Sequence, residues 1–429
     1  MKKFQVILLF FFAAMGVFGL VLFGLFRGGT SSSEATIIMW GSTPANIVNG
    51  LISDIRFNQK INLNINYVEK DETVFDSDLI EALASGKGPD AILLPSNLLV
   101  RYADKIYPIP LNTLSVSDFR KNFAQIGEIY LTTNGALALP LSIDPLVMYW
   151  NRDIFNEARK SIPTYWSDLQ DIAPVITKKD ASQNIIRSAV GIGEFRNITH
   201  AKDILTMLMM QAGSQLVAPE GNNYKAVFNH SLTGDTEPAV AALRFYTDFA
   251  NPIKSVYSWN RALSNDKLAF ISGDLAIYFG LASEYQDIIT KNPNLNFDVA
   301  FIPQRKDAKS SQVIGNLLGV AILNASTNKV AAYNHLTTLT STAIASQWSE
   351  KTGQTPARRD LLLIKPAETY KDLAWKSALL ARTWFDPNNT QTNEIYRNAI
   401  ESVVTGKLSI ESVVSRLNDQ VDLLLVKKP

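Results

Sequence analysis

Strand-like and helix-like segments alternate in the part of the chain that follows its apolar N-terminus, and this alternation constrains the fold most. Thr36–Trp40 is a short β-rich run, and Ile61–Val68 alternates large apolar residues with Asn. A helical pattern over Ala45–Asn58 separates these two runs. A second helical pattern, Phe75–Ser85, separates them from a third apolar run, Ala91–Leu94. Strand, helix, strand, helix and strand in succession are typical of an α/β fold with a parallel sheet.

Two loops at strand ends are predicted to contribute to a ligand site. In open parallel sheets, ligands lie beyond the carboxyl ends of the strands. Ser42 and Thr43 follow the first strand, which Trp40 closes, and Asn97 follows the third. We therefore expect these four residues near a ligand.

Further along the chain, strands and helices remain mixed. Gly135–Leu141 and Pro145–Tyr149 are predicted as separate strands because a proline stands at the end of one and the start of the other. Lys329–Lys351 and Ile410–Leu425 both follow a helical pattern.

An uncharged segment opens the chain. Lys2 and Lys3 precede a stretch of 23 residues from Phe4 to Phe26, which as a helix spans roughly 35 Å, enough to cross a bilayer. Two lysines before it and Arg27 after it favour a cytoplasmic N-terminus of residues 1–3. We predict a single-pass anchor at the cell membrane, a flexible tether over 27–35, and a body on the extracytoplasmic side. A cleaved signal peptide is the alternative, although the residues around Arg27 make a poor cleavage site.

Charge and cysteine content exclude several classes of protein. Lys and Arg total 41 against 40 Asp and Glu, so the chain lacks the basic face of a general nucleic-acid binder. The sequence contains no Cys, which excludes disulfides, thiolate metal sites, Cys nucleophiles and a lipid-modified Cys. Its three His are far apart in sequence. We expect no metal and no cofactor.

Common catalytic motifs are also missing from the sequence. It has no G-x-S-x-G, no H-E-x-x-H and no complete P-loop. Asp144, Glu194 and Asp274 could supply a carboxylate pair for glycoside hydrolysis, so a carbohydrate-active hydrolase remains an alternative.

Three tryptophans stand beside turn residues rather than within apolar stripes: Trp40, Trp259 and Trp384. Aromatic faces pack against the C–H faces of sugars, while neighbouring polar groups bind the hydroxyls. We therefore predict that these rings line a sugar-binding cleft. Burial in the core is the competing interpretation of each ring.

Five sequence blocks occur in an order that resembles the sugar-type extracellular solute-binding proteins of ABC transporters, the family-1, maltose-binding-protein-like class. The blocks lie at 78–90, with S-G-K-G-P-D, at 138–155, with L-P-L and later Y-W-N-R-D-I-F, at 162–169, at 270–277 and at 352–360. Asp274 and Ile277 depart from the usual residues of the fourth block.

This resemblance implies a two-lobe periplasmic-binding-protein-like fold of class II with hinge strands. Lobe one would comprise 36–141 and 280–318, and lobe two 142–279 and 319–429. The chain would cross between lobes near three segments: Leu139–Asp144, Leu275–Gly280 and Leu317–Val320.

The resemblance also implies a function without catalysis. The protein would be a membrane-tethered monomer that captures a sugar or oligosaccharide and delivers it to the permease subunits of an ABC transporter. Asp144 would lie at the floor of the cleft, as an acceptor for a hydroxyl or a cation, with Phe195 and Arg358 contributed by loops of lobe two. A ligand-sensing binding module is the other alternative.

Overall fold

The computed structural model describes residues 35–221, 223–231, 237–308 and 310–425. The predicted anchor, Phe4–Phe26, and all but the last residue of the predicted tether lie outside these ranges. Among the helices that the structure does describe, none has both the length and the apolar character needed to cross a membrane.

The strands of the described residues range from two to thirteen residues in length. In chain order they are β1 Ile37–Gly41, β2 Ile65–Glu69, β3 Ala91–Pro95, β4 Leu131–Thr132, β5 Gly135–Ala136, β6 Leu139–Asn151, β7 Lys178–Lys179, β8 Ile185–Val190, β9 Ser214–Glu220, β10 Asn223–Ser231, β11 Leu275–Leu281, β12 Phe297–Ala300, β13 Val313–Ile322, β14 Thr355–Pro356 and β15 Ala381–Arg382.

The α-helices cover the faces of the sheets. They are α1 Ala45–Phe57, α2 Phe75–Ala84, α3 Leu99–Tyr102, α4 Val116–Asn122, α5 Arg152–Ala158, α6 Asp168–Ile176, α7 Ala201–Gln211, α8 Pro238–Asp248, α9 Asp266–Ser272, α10 Tyr285–Lys291, α11 Lys329–Leu339, α12 Thr342–Thr352, α13 Arg359–Leu362, α14 Thr369–Leu380, α15 Asn389–Val404 and α16 Ile410–Leu425. Short 3₁₀ turns lie at Ser96–Leu98, Gln125–Tyr130 and Ala282–Glu284.

The first lobe is built on the predicted parallel sheet. β1 pairs in parallel with both β2 and β3, and its Ile37 and Met39 are fully buried. α1 buries Val48, Leu51 and Ile55 at helical spacing against this sheet. The alternation read from the sequence is therefore confirmed here.

Two long strands, β6 and β13, run through both lobes and join them. The first part of β6 pairs with β13 beside β3, in the first lobe. The second part pairs with β11 and β12, in the second lobe. The strand order β2-β1-β3-β13-β6-β11-β8-β7 is consequently continuous across the hinge.

The prolines do not divide β6, so the prediction of two separate strands is wrong. Pro140 lies opposite Gly319 and Pro145 opposite Gly315, and the register shifts between Leu318 and Gly319. A proline cannot donate to a strand ladder, but it is tolerated where a β-bulge interrupts the ladder, and the register shift lies beside Pro140.

Strand pairing differs from the expected lobe boundaries in three places. β12 pairs with the second-lobe part of β6, although 280–318 was expected in lobe one. Residues 319–322 of β13 pair with β3 and therefore lie in the first lobe. α12 lies there too, because it packs against α1 and its Gln347 accepts a 2.8 Å hydrogen bond from the side chain of Gln59, just after α1. β11 pairs with β6 and β8 and is a second-lobe strand rather than a crossing. The expected boundaries followed the order of the sequence blocks, whereas pairing decides where each strand lies.

Candidate functional site

A cavity of about 460 Å³ lies between loops of the first lobe and the start of α15 in the second lobe. We call it the cleft. It is lined by Ser42, Glu72, Thr73, Phe75, Asp76, Leu93, Pro95, Asn97, Leu98, Arg101, Asn388, Asn389, Thr390 and Gln391. The carboxyl ends of β1 and β3 open into it, as the rule for parallel sheets predicts.

Ser42 and Asn97 are the predicted site residues that the structure brings together in the cleft. Ser42 follows β1 and is exposed, and Asn97 lies in the 3₁₀ turn after β3. The Oδ1 atom of Asn97 is buried and accepts no hydrogen bond from any described residue. An unpaired buried acceptor has a free-energy cost, so a donor from a ligand would be favourable there.

The charges of the cleft are largely compensated on its first-lobe side. Arg101 forms a bidentate ion pair with Asp76, which also accepts a hydrogen bond from the Tyr102 hydroxyl. Burial would raise the pKa of Asp76, but the bonds from Arg101 and Tyr102 outweigh it and lower that pKa below its usual range. Glu72 is exposed at the rim. The cleft therefore presents mainly amides and hydroxyls rather than a strong net charge.

The second-lobe side of the cleft is the start of α15, residues Asn388–Gln391, which we call the α15 lip. Asn388 is the N-cap, and its Oδ1 accepts a hydrogen bond of 3.0 Å from the backbone N–H of Gln391. The Oδ1 of Asn389 accepts a bond of 2.9 Å from the ammonium of Lys202. Sequence reasoning missed this lip, although a polar run ahead of a helical pattern is a recognisable N-cap feature.

Asp144 is buried near the hinge and does not line the cleft. It accepts a hydrogen bond of 3.0 Å from the backbone N–H of Ser283 and a second from its hydroxyl. Burial raises the pKa of Asp144 to about 6, against the opposing effect of the bonds from Ser283. Its position in β6 fits the predicted crossing, but both of its oxygens already have protein partners.

A partly buried charged cluster stands beside this hinge contact. Glu284 accepts hydrogen bonds of 2.6 Å from His200 and 2.7 Å from Tyr278, and its carboxylate lies 2.9 Å from the Lys267 ammonium. Burial would lower the pKa of His200, but hydrogen bonds to Asp203 and Glu284 outweigh it and raise that pKa to about 10. The imidazole is thus charged at neutral pH.

The predicted tryptophans do not form an aromatic lining. Trp259 is 1 % exposed and Trp384 is 8 % exposed, and Trp384 packs edge-on against Phe228 at 5.9 Å between ring centroids. The prediction that these two rings face a sugar is wrong, because both belong to the core. Trp40 is half-buried beneath the Lys70 ammonium, 4.1 Å from the ring centroid.

The other predicted residues have partners outside the cleft. The Thr43 carbonyl accepts a bond of 2.6 Å from the Tyr67 hydroxyl. Phe195 is half-buried against the core. Arg358 forms a bidentate ion pair with Asp360. None of these three side chains lines the cleft.

The carboxylates considered for hydrolysis have separate surroundings. Asp144 is held by Ser283, Glu194 is buried and paired with Arg261, and Asp274 is exposed. Across the described ranges, no group of three or more His, Cys, Asp or Glu could hold a metal ion.

Comparisons with known proteins agree with this architecture. A family model described as bacterial extracellular solute-binding protein matches residues 55–375. No curated protein matches the chain significantly.

Solved structures match nearly the whole chain. The GacH receptor of Streptomyces glaucescens, solved free and with acarbose, is 17% identical with a TM-score of 0.68, covering 91% of this chain and 98% of that one. The cyclic alpha-maltosyl-1,6-maltose binding protein of Arthrobacter globiformis is 15% identical with a TM-score of 0.74, covering 91% and 99%. UgpB of Mycobacterium tuberculosis, solved with glycerophosphocholine, is 17% identical with a TM-score of 0.69, covering 91% and 98%. Likeness at this level of identity concerns the fold.

Proposed function

Because the chain belongs to the bacterial extracellular solute-binding protein family, we propose that it captures a sugar or oligosaccharide and delivers it to the permease of an ABC transporter. One observation carries the choice of ligand class: a cleft between two lobes, lined from both sides by amide and hydroxyl groups. Such groups exchange hydrogen bonds with sugar hydroxyls without requiring a charged ligand.

The cleft would recognise a sugar chiefly through hydrogen bonds. Among the described residues, Phe75 is the single aromatic one in the lining, and it is 5 % exposed. Asn97, Asn388, Asn389 and Gln391 supply amides instead. This lining departs from the stacked rings that the sequence predicted.

Lobe closure would convert binding into a transport signal. β6 and β13 join the lobes, so bending there would bring the α15 lip toward Ser42 and Asn97. A ligand that touches both sides stabilises the closed form by its greater affinity for that form. The permease would then distinguish closed from open protein, and no bond in the ligand would break.

A ligand panel tests this function. We expect maltotetraose, acarbose or tagatose, each bound in a solved structure with this fold, to raise the melting temperature and reduce the radius of gyration in small-angle scattering. A ligand at 100 times its dissociation constant stabilises a protein by roughly 2.7 kcal/mol.

Two controls make the result specific. Asn97→Ala should weaken binding about tenfold through one lost hydrogen bond, whereas Asn294→Ala, at an exposed residue, should leave affinity unchanged. Cleaved sugar in the reaction mixture would identify a hydrolase instead. Binding without compaction would oppose the closure mechanism and favour a different binding module.

We further propose that Phe4–Phe26 anchors the protein in the cell membrane, with the body outside and a monomer held near its transporter. The support is an uncharged stretch long enough to span a bilayer and the absence of the Cys that a lipid anchor needs. A tether raises the effective concentration of the binder at the permease.

The anchor has a direct test in cell fractions. The full-length protein should remain with membranes after an alkaline carbonate wash, while a chain that begins at Gly28 and is expressed without the stretch should be released. Mass spectrometry of the mature N-terminus checks cleavage. A first residue beyond Arg27 would identify a signal peptide instead of an anchor.

A further inference from the structure

Lys202 is a buried cation that lies directly behind the α15 lip. It stands at the start of α7 and is 8 % exposed. Its ammonium donates to Asp386, to the Oδ1 of Asn389 at 2.9 Å and to the hydroxyl of Thr392 at 2.7 Å. An ammonium has three N–H donors, and all three end on one short segment, 386–392.

Hydrogen bonds within segment 386–392 also hold it together. Asp386, 3 % exposed, accepts from the backbone N–H of Asn388 at 3.1 Å and from the hydroxyl of Thr392 at 2.9 Å. The Thr392 hydroxyl thus lies between the carboxylate and the ammonium. Lys202 therefore bonds to one residue on each side of the lip, Asp386 and Thr392, and to Asn389 within it.

These bonds determine which groups the lip shows to the cleft. The Oδ1 atoms of Asn388 and Asn389 accept from Gln391 and Lys202 respectively. Neither amino group donates to another described residue within hydrogen-bonding distance. Asn388 and Asn389 both line the cleft, and with each oxygen bonded to the protein their amino groups are left as donors for a ligand.

A buried ion pair is an inefficient way merely to hold two helices together. Removing a lysine and a carboxylate from water costs free energy, and apolar side chains of similar size often give equal or greater stability. Charged hydrogen bonds do, however, fix direction, which apolar contacts do not.

We propose that Lys202 is a positioning residue of the ligand site, which holds the α15 lip with its amide donors facing the acceptor oxygens of the ligand. The inference rests on the proposed function of the cleft, since Lys202 itself does not line it.

The experiment separates positioning from stability with two variants. Lys202→Met leaves Asp386 buried without its cation and should lower the melting temperature. Lys202→Met/Asp386→Asn removes both charges while keeping an acceptor for Asn388 and Thr392, so its melting temperature should recover. If Lys202 positions the lip, affinity for maltotetraose should stay about tenfold weaker in the double variant, the effect of one or two misdirected hydrogen bonds.

Hydrogen exchange of the free protein gives a second readout that needs no ligand. Amides of residues 388–392 should exchange faster in the double variant than in the wild type, while Lys376→Met, which removes a half-exposed lysine of α14, should change neither affinity nor exchange there. Full recovery of affinity together with stability, or unchanged exchange of the lip, would overturn the proposal. If maltotetraose fails to bind the wild type, the ligand assignment fails, and exchange still decides the role of Lys202.

Discussion

Trp259→Ala is expected to lower the free energy of unfolding by about 3–5 kcal/mol, the usual cost of truncating a buried Trp, while leaving ligand affinity unchanged. The ring is 1 % exposed and lies outside the cleft. Its loss would leave a cavity that the surrounding core cannot fill. Urea denaturation measures the first quantity and calorimetric titration the second.

Trp375→Ala supplies the matched control, since this ring is half-buried on α14. It should cost clearly less stability than the change at Trp259, because less apolar surface returns to water. A Trp259 variant that keeps its stability but loses its ligand would restore the stacked-ring hypothesis and contradict the structure.

The sequence could not decide where Trp259 lies, because the answer depends on distant partners. Turn residues surround it, which suggested an exposed loop. In the structure, Ser188 of β8 donates a bond of 2.6 Å to the carbonyl of Ser258, and Asn197 donates one of 2.9 Å to that of Asn260. These contacts fold the loop onto the second lobe, and none is local in sequence.

Local patterns, by contrast, were sufficient for some helices. Ile410–Leu425 matches the predicted helix at both ends, because its apolar period continues to the last turn. The predicted helix Lys329–Lys351 is instead two, α11 and α12, separated at Thr340 and Ser341. The Thr340 hydroxyl bonds back to the Leu336 carbonyl at 2.9 Å, and Ser341 is extended, so short polar side chains ended a helix that periodicity alone would continue.

The second-lobe half of the site shows a similar limit. Ser42 and Asn97 were predictable because they follow strands of one parallel sheet, whose carboxyl ends meet. The α15 lip lies across the cleft from these two residues only because the hinge and the packing of α15 place it there. The distance in sequence between Asn97 and Asn388 is too great for any local pattern to connect them.

The charged cluster beside the hinge was also beyond the sequence, and replacing its histidine should have a large effect. His200→Ala is expected to lower the free energy of unfolding by about 1.5–3 kcal/mol at pH 7, the usual contribution of a hydrogen bond between charged groups. Glu284 would keep Lys267 and Tyr278 as partners but lose its 2.6 Å bond to the imidazole. Urea denaturation at several pH values measures the effect.

The pH dependence follows from the raised pKa of His200, about 10 in the folded protein against about 6.5 in an unfolded chain. The folded state holds this proton more tightly, so the imidazolium contributes its full stabilisation below pH 6.5 and loses it as the pH rises toward 10. Wild-type stability should therefore fall between pH 7 and pH 10, and that of His200→Ala should fall less. His230→Ala, at an exposed histidine, should reproduce the wild-type curve. Parallel curves for wild type and His200→Ala across this interval would show that the imidazole is neutral and that the cluster does not depend on its charge.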